Sequence, residues 1–424
     1  MLYKIENGLV VIPDKPELFD RYKLKNPKRI QLQRLNKFAY HIPEYVEFAE
    51  KRPGGVAVPL CCWRERPQVA DTRAKWPPPV LGAIESREAQ GRAVTVMLDK
   101  PDGILEAPAG TGKTTIMLMV AGARGCRTVV IVPTIDIKKQ WEKRAETLFG
   151  PGAPVEVSTF QTAAKLPAGW FADFGMIIID ECHRVACDSI RDVLAKCPAY
   201  YRYGTSATPE RSDGLTPALT WLLGGVRHSI PREESGTLPV KYKTVWSKCT
   251  FIVNDNNDLQ AQIASSSDRD VLMQGRKRDE LIKELVGELL ESNHSVLVLG
   301  LRVEHLDRMA AGRNDAAMIH GKTPKKERAE ILDKVRAGQI PVLFATYNLA
   351  SEGLDCPILS ALIMAAPIGN KNRIIQSCGR IARPYPGKPD PVVYDLVDGG
   401  GLCAVNAKKR LKVYRDLGMG EVKQ

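Results

Sequence analysis

The segment Ala107-Pro108-Ala109-Gly110-Thr111-Gly112-Lys113-Thr114-Thr115 constrains this chain more than any other. It follows an apolar run, Gly103–Ala107, and opens a helical pattern over Lys113–Ala121. A glycine-rich loop between a strand and a helix aims several backbone N–H groups and the helix N-terminus at one point, which makes a phosphate cradle. In such a loop Lys113 reaches the β/γ-phosphates and the Thr114 hydroxyl binds Mg²⁺, with Ala109, Gly110, Thr111, Gly112 and Thr115 completing the nucleotide contacts. The generic pattern has glycine where Ala107 stands, so the match is to its A-x-x-G-x-G-K-T form.

A second signal lies downstream, in Met176-Ile177-Ile178-Ile179-Asp180-Glu181-Cys182-His183. A hydrophobic strand ending in two acids places one carboxylate for a metal and the next beside an attacking water. Asp180 is expected to hold Mg²⁺, and Glu181 to orient and deprotonate the water. Alone, the pair also suits a solvated strand end; after a phosphate loop it reads as catalytic.

The surrounding pattern gives the fold class. A chain of 424 residues is too long for one ordinary domain of roughly 150 residues. Trp76-Pro77-Pro78-Pro79 excludes helix and central strand and reads as a stiff linker. Beyond it, apolar runs alternate with helical patterns. Gly103–Ala107, Thr128–Pro133, Val155–Thr159, Met176–Glu181 and Tyr201–Thr205 are continuous rather than alternating, as parallel strands buried on both faces must be. A polar stretch from Pro231 to about Asp270 interrupts the series. It resumes with Ser295–Gly300, Ala316–His320, Pro341–Thr346, Ala361–Ala366 and Val392–Val397. The expectation is an α/β protein with two parallel-sheet domains in series, 81–235 and 236–424, after a small N-terminal module, 1–80.

Composition excludes other classes. The longest uninterrupted apolar stretch, Ile116 to Ala123, is far short of the ~18–20 residues of a membrane span. The polar start Met1–Gly8 has no apolar core of a signal peptide, so a cytoplasmic location is expected. None of the ten cysteines stand as C-x-x-C, which leaves reduced core thiols as the plain reading. The net charge is +12, and residues 1–80, with 15 basic and 9 acidic side chains, hold half the surplus. Seven basic residues and no acid lie between Arg21 and Lys37, followed by Phe38 and Tyr40. That run suits a phosphate backbone with exposed bases, or is the solvated face of a domain bracing its neighbour.

Asp180-Glu181-Cys182-His183 resembles the D-E-x-H box of superfamily-two helicases, and companion motifs follow in order. Gly204-Thr205-Ser206-Ala207-Thr208-Pro209-Glu210-Arg211-Ser212-Asp213-Gly214 resembles motif III extended by the R-x-D-G of XPB-like and UvsW-like DNA helicases. Phe344-Ala345-Thr346 with Glu352-Gly353-Leu354-Asp355 resembles motif V, and Gln376-Ser377-Cys378-Gly379-Arg380-Ile381-Ala382-Arg383 resembles motif VI. Arg302-Val303-Glu304-His305-Leu306, Gly387-Lys388 and Val393-Tyr394-Asp395-Leu396-Val397-Asp398 are similar to second-lobe segments of phage-type branch-migration and repair helicases.

The resemblance implies two tandem RecA-like domains of the P-loop NTPase class with an N-terminal α+β accessory domain. It implies an enzyme that binds ATP and Mg²⁺ and acts on single-stranded, forked or branched DNA in replication, recombination or repair; a monomer on DNA is compatible with this, and the oligomeric state is left open. Gln376, Arg380 and Arg383 join Lys113, Asp180 and Glu181 in catalysis, and Gly353 and Asp355 join the nucleotide contacts. Arg380 and Arg383, at i and i+3, would share one face of a helix. Arginine fingers of this kind contribute on the order of 10³–10⁵ in rate elsewhere. Gln90 stands where the family reads adenine, although Ser86 and Ala89 replace the usual leucine and tyrosine. His183, Ser206 and Thr208 are expected to couple the ATP site to movement. Thr134, Thr159, Arg302, His320 and Thr346 are expected to touch the nucleic-acid backbone, or to be turn and capping residues. An RNA helicase and a motor subunit of a defence or restriction complex are the rival readings.

Overall fold

The computed structural model describes residues 4–6, 9–13, 16–34, 42–52, 55–59, 61, 74–79, 88–108, 110–184, 187–211, 213–251, 269–351, 354 and 356–422. Two compact units divide the chain, Met1–Pro231 and Arg232–Gln424.

The first unit is built on a six-stranded sheet. Its order is Val226–Ser229, Asp102–Glu106, Tyr201–Ser206, Met176–Ile179, Thr128–Val132 and Val155–Thr159, every neighbour parallel. The five strands expected from the apolar runs of this half are all present. Ile104, Val129, Ile131, Ile177 and Ile179 face one apolar layer, and Leu105, Val130, Val132 and Ile178 face the other. Burial on both faces is why these runs read as continuous rather than alternating. All six strands run the same way, so the loops at their C-terminal ends gather on one edge. The phosphate loop, Asp180 and Ser206 all follow or end such strands.

The N-terminal region adds an antiparallel sheet in the order Lys4–Glu6, Leu9–Pro13, Gly55–Pro59, Glu50–Arg52, and a two-stranded pair, Lys23–Lys25 with Tyr45–Glu47. Its apolar side merges with the first layer: Ile12, Tyr22, Phe48, Val56 and Val58 share one core with Ile104, Leu219 and Leu223. Tyr22 and Phe48 meet Trp221 edge-on at 5.4 and 5.5 Å between ring centroids. Arg191 donates to the Glu47 carbonyl at 2.8 Å. In the proline segment, Trp76 stacks edge-on with Phe149 and donates to the Cys126 carbonyl.

The second unit holds a seven-stranded parallel sheet in the order Ala316–Ile319, Val342–Thr346, Val296–Gly300, Ala361–Met364, Val392–Gly399, Lys241–Thr250 and Gly420–Glu421. Helices Lys371–Ile381 and Gly401–Asp416 cover one face; Arg269–Glu291 and Val303–Ala310 cover the other. The polar stretch after Pro231 is a correction to the sequence expectation, because it contains the ten-residue strand Lys241–Thr250. That strand buries Tyr242 and Cys249 while its charged and hydroxylic residues stay partly or fully open, so no apolar run marks it. No helix of the described residues is long and apolar enough to cross a membrane, and the cysteines described are all free thiols.

Candidate functional site

In the first unit the phosphate loop is shaped by backbone that only glycine adopts readily. Gly110 and Gly112 both sit at φ 89°, in the left-handed region. A Cβ on Gly112 would also stand 2.6 Å from Gln90 Nε2. Gln90, expected at the adenine, lies on the helix Glu88–Asp99 and donates to the Thr111 carbonyl at 2.8 Å, so here it braces the phosphate loop. The buried Thr111 hydroxyl donates to the Pro108 carbonyl at 2.7 Å. Lys113 and Thr114 open the helix Lys113–Arg124, whose first N–H groups point into the loop. Thr115, the next residue, accepts from Arg144 Nε at 2.9 Å.

Lys113 Nζ donates to the Ala107 carbonyl at 3.1 Å and stands 3.5 Å from Glu181 Oε1. The acidic pair expected at the end of Met176–Ile179 therefore faces the loop lysine. Asp180 is buried and held on three sides. Trp141 Nε1 donates to Oδ2 at 2.8 Å, the Glu181 N–H donates to Oδ1 at 2.9 Å, and the Thr205 hydroxyl donates to Oδ1 in a short contact. Burial, and then the adjacent Glu181 carboxylate, push the Asp180 carboxyl above its ordinary acidity range, against the pull of Thr205, Lys113 and Trp141. Glu181 itself adopts φ 48°, a left-handed conformation that costs a non-glycine residue of order 1–3 kcal/mol. In that conformation its side chain meets Lys113 on one side and His183 on the other, where Oε2 lies 3.4 Å from Nδ1.

His183 continues the chain of contacts. Its Nδ1 is 2.8 Å from the buried Ser206 hydroxyl, and Ser206 Oγ accepts from the Thr208 N–H at 3.0 Å. Arg211 donates to the His183 carbonyl at 2.9 Å and pairs with Asp213, whose Oδ1 caps the Leu215 N–H at 3.0 Å. The residues expected to couple are thus one hydrogen-bonded group. Thr134 and Thr159 are N-caps of the helices Ile135–Phe149 and Phe160–Ala163, each accepting a backbone N–H at 3.3 Å.

In the second unit Thr346 ends the strand Val342–Thr346. Arg302 is exposed at the start of Val303–Ala310, and His320 takes part in a turn closed by Thr323. Gln376 and Arg380 lie on the helix Lys371–Ile381, where Arg380 Nη1 donates to the Leu354 carbonyl at 3.0 Å. The shared helical face expected for Arg380 and Arg383 is not what forms. The helix ends at Ile381 with Ala382 as its cap, and Arg383 follows it. Pro384 explains the stop, because the residue before a proline is pushed out of the helical region. Ala109, Gly353 and Asp355 lie outside the described residues.

The sequence matches three families: DEAD/DEAH box helicase over residues 87–168, the res subunit of type III restriction enzymes over 155–211, and the helicase conserved C-terminal domain over 276–385. It is 28% identical over 331 residues to the probable helicase D10 of Escherichia phage T5, covering 74% of this chain and 72% of that one. It is 25% identical over 356 residues to the DNA 3'-5' translocase XPB2 of Sulfurisphaera tokodaii, covering 72% of this chain and 80% of that one. The chain belongs to the superfamily-two helicases. It is an ATP-dependent enzyme of that group. Its fold is similar to that of S. cerevisiae Dbp5 bound to RNA and ADP BeF3, with a TM-score of 0.57 and 16% identity over 79% of this chain and 89% of the other.

Several residues of the helicase site carry no motif signature. Trp141 sits mid-helix and reads in sequence as a core aromatic, yet it donates to Asp180. Arg144, three residues on, ties the same helix to Thr115. Their i, i+3 spacing places both on one helical face, which was the available signal. Lys388 has no signature in sequence beyond the resembling pair Gly387-Lys388. Its Nζ donates to the carbonyls of Pro357 and Arg383, both at 2.8 Å, holding the backbone of the last motif VI arginine.

Proposed function

We propose that this helicase is a DNA motor that couples ATP hydrolysis to unwinding or branch migration in replication, recombination or repair. The observation that carries the reading is the unbroken series Lys113, Glu181, His183, Ser206, Thr208. It runs from the residue assigned to the phosphates, through the residue assigned to activate water, into the segment assigned to coupling. A change at Glu181 on hydrolysis therefore reaches Ser206 within two side chains.

The residues fit a nucleotide with Mg²⁺. Thr114 supplies a hydroxyl and Asp180 a carboxylate, the oxygen donors a small hard cation takes. An acid whose charged form is disfavoured by burial and by a second carboxylate is also one that a cation would stabilise. Bound there, the ion would neutralise charge on the β- and γ-phosphates. The chain's own part is to hold Asp180 with Trp141 and Thr205, to place Glu181 for proton removal, and to cradle phosphates with Gly110–Thr115. Arg380, Arg383 and Gln376 of the second unit are assigned to the transition state, with Gly353 and Asp355 on the nucleotide and Gln90 on its base.

For DNA contact we assign Thr134, Thr159, Arg302, His320 and Thr346. A capping threonine accepts a backbone N–H and keeps its own proton to donate, so capping and phosphate contact are compatible. The DNA assignment is supported by the Arg211–Asp213 pair within the R-x-D-G segment and by the relative named as a DNA translocase. The N-terminal region is assigned as a brace for the first sheet, since Ile12, Tyr22 and Phe48 complete its core. Its basic residues add contact with phosphates.

The test is a comparison of ATP turnover with single-stranded DNA, forked DNA and RNA of matched length. The expected result is stimulation above tenfold by DNA and within twofold by RNA. Stimulation by RNA that exceeds DNA would move the substrate assignment to RNA.

A further inference from the structure

The stretch between the strand Ala361–Met364 and the helix Lys371–Ile381 is held in an unusual way. Its four successive carbonyls, from Ala365 to Ile368, each accept from a different buried side chain. Arg278 Nη1 donates to Ala365 at 2.7 Å, and the Tyr347 hydroxyl to Ala366 at 3.2 Å. Asn406 Nδ2 donates to Pro367 at 2.9 Å, and Arg410 Nη1 to Ile368 at 3.0 Å. The four donors are each at most 1% exposed and come from three different helices and from both faces of the sheet. Gly369 completes the fit, because a Cβ there would lie 2.2 Å from Asn406 Oδ1. Asn370 then caps the helix by accepting the Arg373 N–H at 3.0 Å.

The two arginines are held in turn by the strand Val392–Gly399. Arg410 Nε donates to Asp395 Oδ1 at 2.7 Å, and Arg278 Nε to Asp398 Oδ1 at 2.8 Å. Asp395 points with Val393 to the face covered by Gly401–Asp416, and Asp398 with Leu396 to the face covered by Arg269–Glu291. Two fully buried ion pairs are a poor way to gain stability, since well-packed apolar residues of similar volume do as well or better. What they do achieve is geometric. A guanidinium has donors in a fixed plane, so one edge on a carboxylate fixes where the remaining donors point. Here those donors point at Ala365 and Ile368.

We infer that Arg278, Tyr347, Asn406 and Arg410 are positioning residues for hydrolysis: with the two arginines held by Asp398 and Asp395, they fix the Ala365–Ile368 backbone, and so the start and axis of the helix that carries Gln376 and Arg380 and leads to Arg383. The inference rests on the assignment of motif VI to the transition state. It gives a task to the Val393–Asp398 segment, which the nucleotide contacts leave without one. Small displacements matter because a helix eleven residues long turns a tilt at its start into a shift at its far end.

The test uses the full chain, with DNA-stimulated ATP turnover and a melting curve for each variant. Arg410→Lys keeps a cation opposite Asp395, but one ammonium cannot also serve the carbonyls of Ile368 and Leu396, which Arg410 now does. Asn406→Ala and Tyr347→Phe each remove one carbonyl donor and leave both ion pairs in place. In the folded variants kcat should fall at least fivefold with KM for ATP within twofold, and most in Arg410→Lys. Combined with Arg383→Ala, the losses should be less than multiplicative, because both act through one step. Folded Asn406→Ala and Tyr347→Phe with unchanged kcat, or fully multiplicative losses, would overturn the inference, whether or not Arg410→Lys folds. The parent reading fails separately: Arg383→Ala alone would then leave kcat intact.

Discussion

The two parallel sheets place their working residues by opposite means. At the C-terminal edge of the first sheet, the residues assigned to the chemistry also hold one another: Lys113 meets Glu181, Glu181 meets His183, and His183 meets Ser206. The loop itself needs little beyond its own glycines and Gln90. At the corresponding edge of the second sheet, the helix bearing Gln376 and Arg380 is set from behind, by side chains that donate to its approach. Where function and placement coincide, a substitution should remove chemistry outright. Where they are separated, it should blur geometry and cost less.

The largest expected effects are therefore in the first unit. Glu181→Gln keeps shape without basicity, so kcat should drop by about 10³ or more while ATP still binds. Lys113→Ala should lose both binding and turnover. A fluorescent nucleotide titration beside an ATPase assay separates the two, and near-normal turnover in Glu181→Gln would end its assignment as the base. Next comes Arg383→Ala, expected to lower kcat by about 10²–10³ with KM for ATP changed only severalfold, because its contact is assigned to the transition state. Equal losses in kcat/KM and in ATP affinity would place Arg383 in ground-state binding instead.

Trp141→Phe should have a smaller effect. It takes one donor from a buried carboxylate, a loss of about 2 kcal/mol in stability. Turnover should fall less than in either variant above, and an unchanged denaturation midpoint would show that Trp141 only packs. Removing residues 1–81 sharpens the contrast in another way. Taking Tyr22 and Phe48 off Trp221 should lower the melting temperature of the remainder, while its binding to forked DNA loses salt dependence by up to roughly 3 units of log–log slope if three or four phosphates are released. A stable truncation with an unchanged slope would remove both roles.

The smallest effect concerns Lys388. Burial, and then the neighbouring Arg383, bring its ammonium down to about 8. Between that value and its ordinary range the unfolded chain binds the proton that the folded chain has released, so folding stability should rise slightly with pH across this window. Lys388→Met should abolish that rise, which denaturant titrations at pH 7.5 and 9.5 would detect.

Which parts were legible in the sequence follows from the same contrast. The phosphate loop and Asp180-Glu181 could be read because their meaning lies in local order: strand, turn, glycine, charge. Most strands of both sheets could be read because burial on two faces leaves unbroken apolar runs; the short edge strands Val226–Ser229 and Gly420–Glu421, left mostly open, could not. Lys241–Thr250 could not, because most of its side chains stay partly or fully open. Trp141 was hidden by distance, acting on an acid 39 residues away from within an ordinary amphipathic helix. Asp398 shows the same limit: its partner Arg278 is 120 residues distant, and only the fold brings them together. Arg380 and Arg383 have helical spacing in sequence but share no helical face, because Pro384 ends the helix before Arg383.

His183 is assigned to carry the consequence of hydrolysis from Glu181 into the Ser206–Thr208 segment. The direct measurement is strand displacement from forked DNA per ATP hydrolysed, in the unaltered protein and in His183→Ala. The account predicts that the variant keeps at least a tenth of its ATP turnover but displaces at least tenfold less strand per ATP. Displacement per ATP equal to that of the unaltered protein would contradict it.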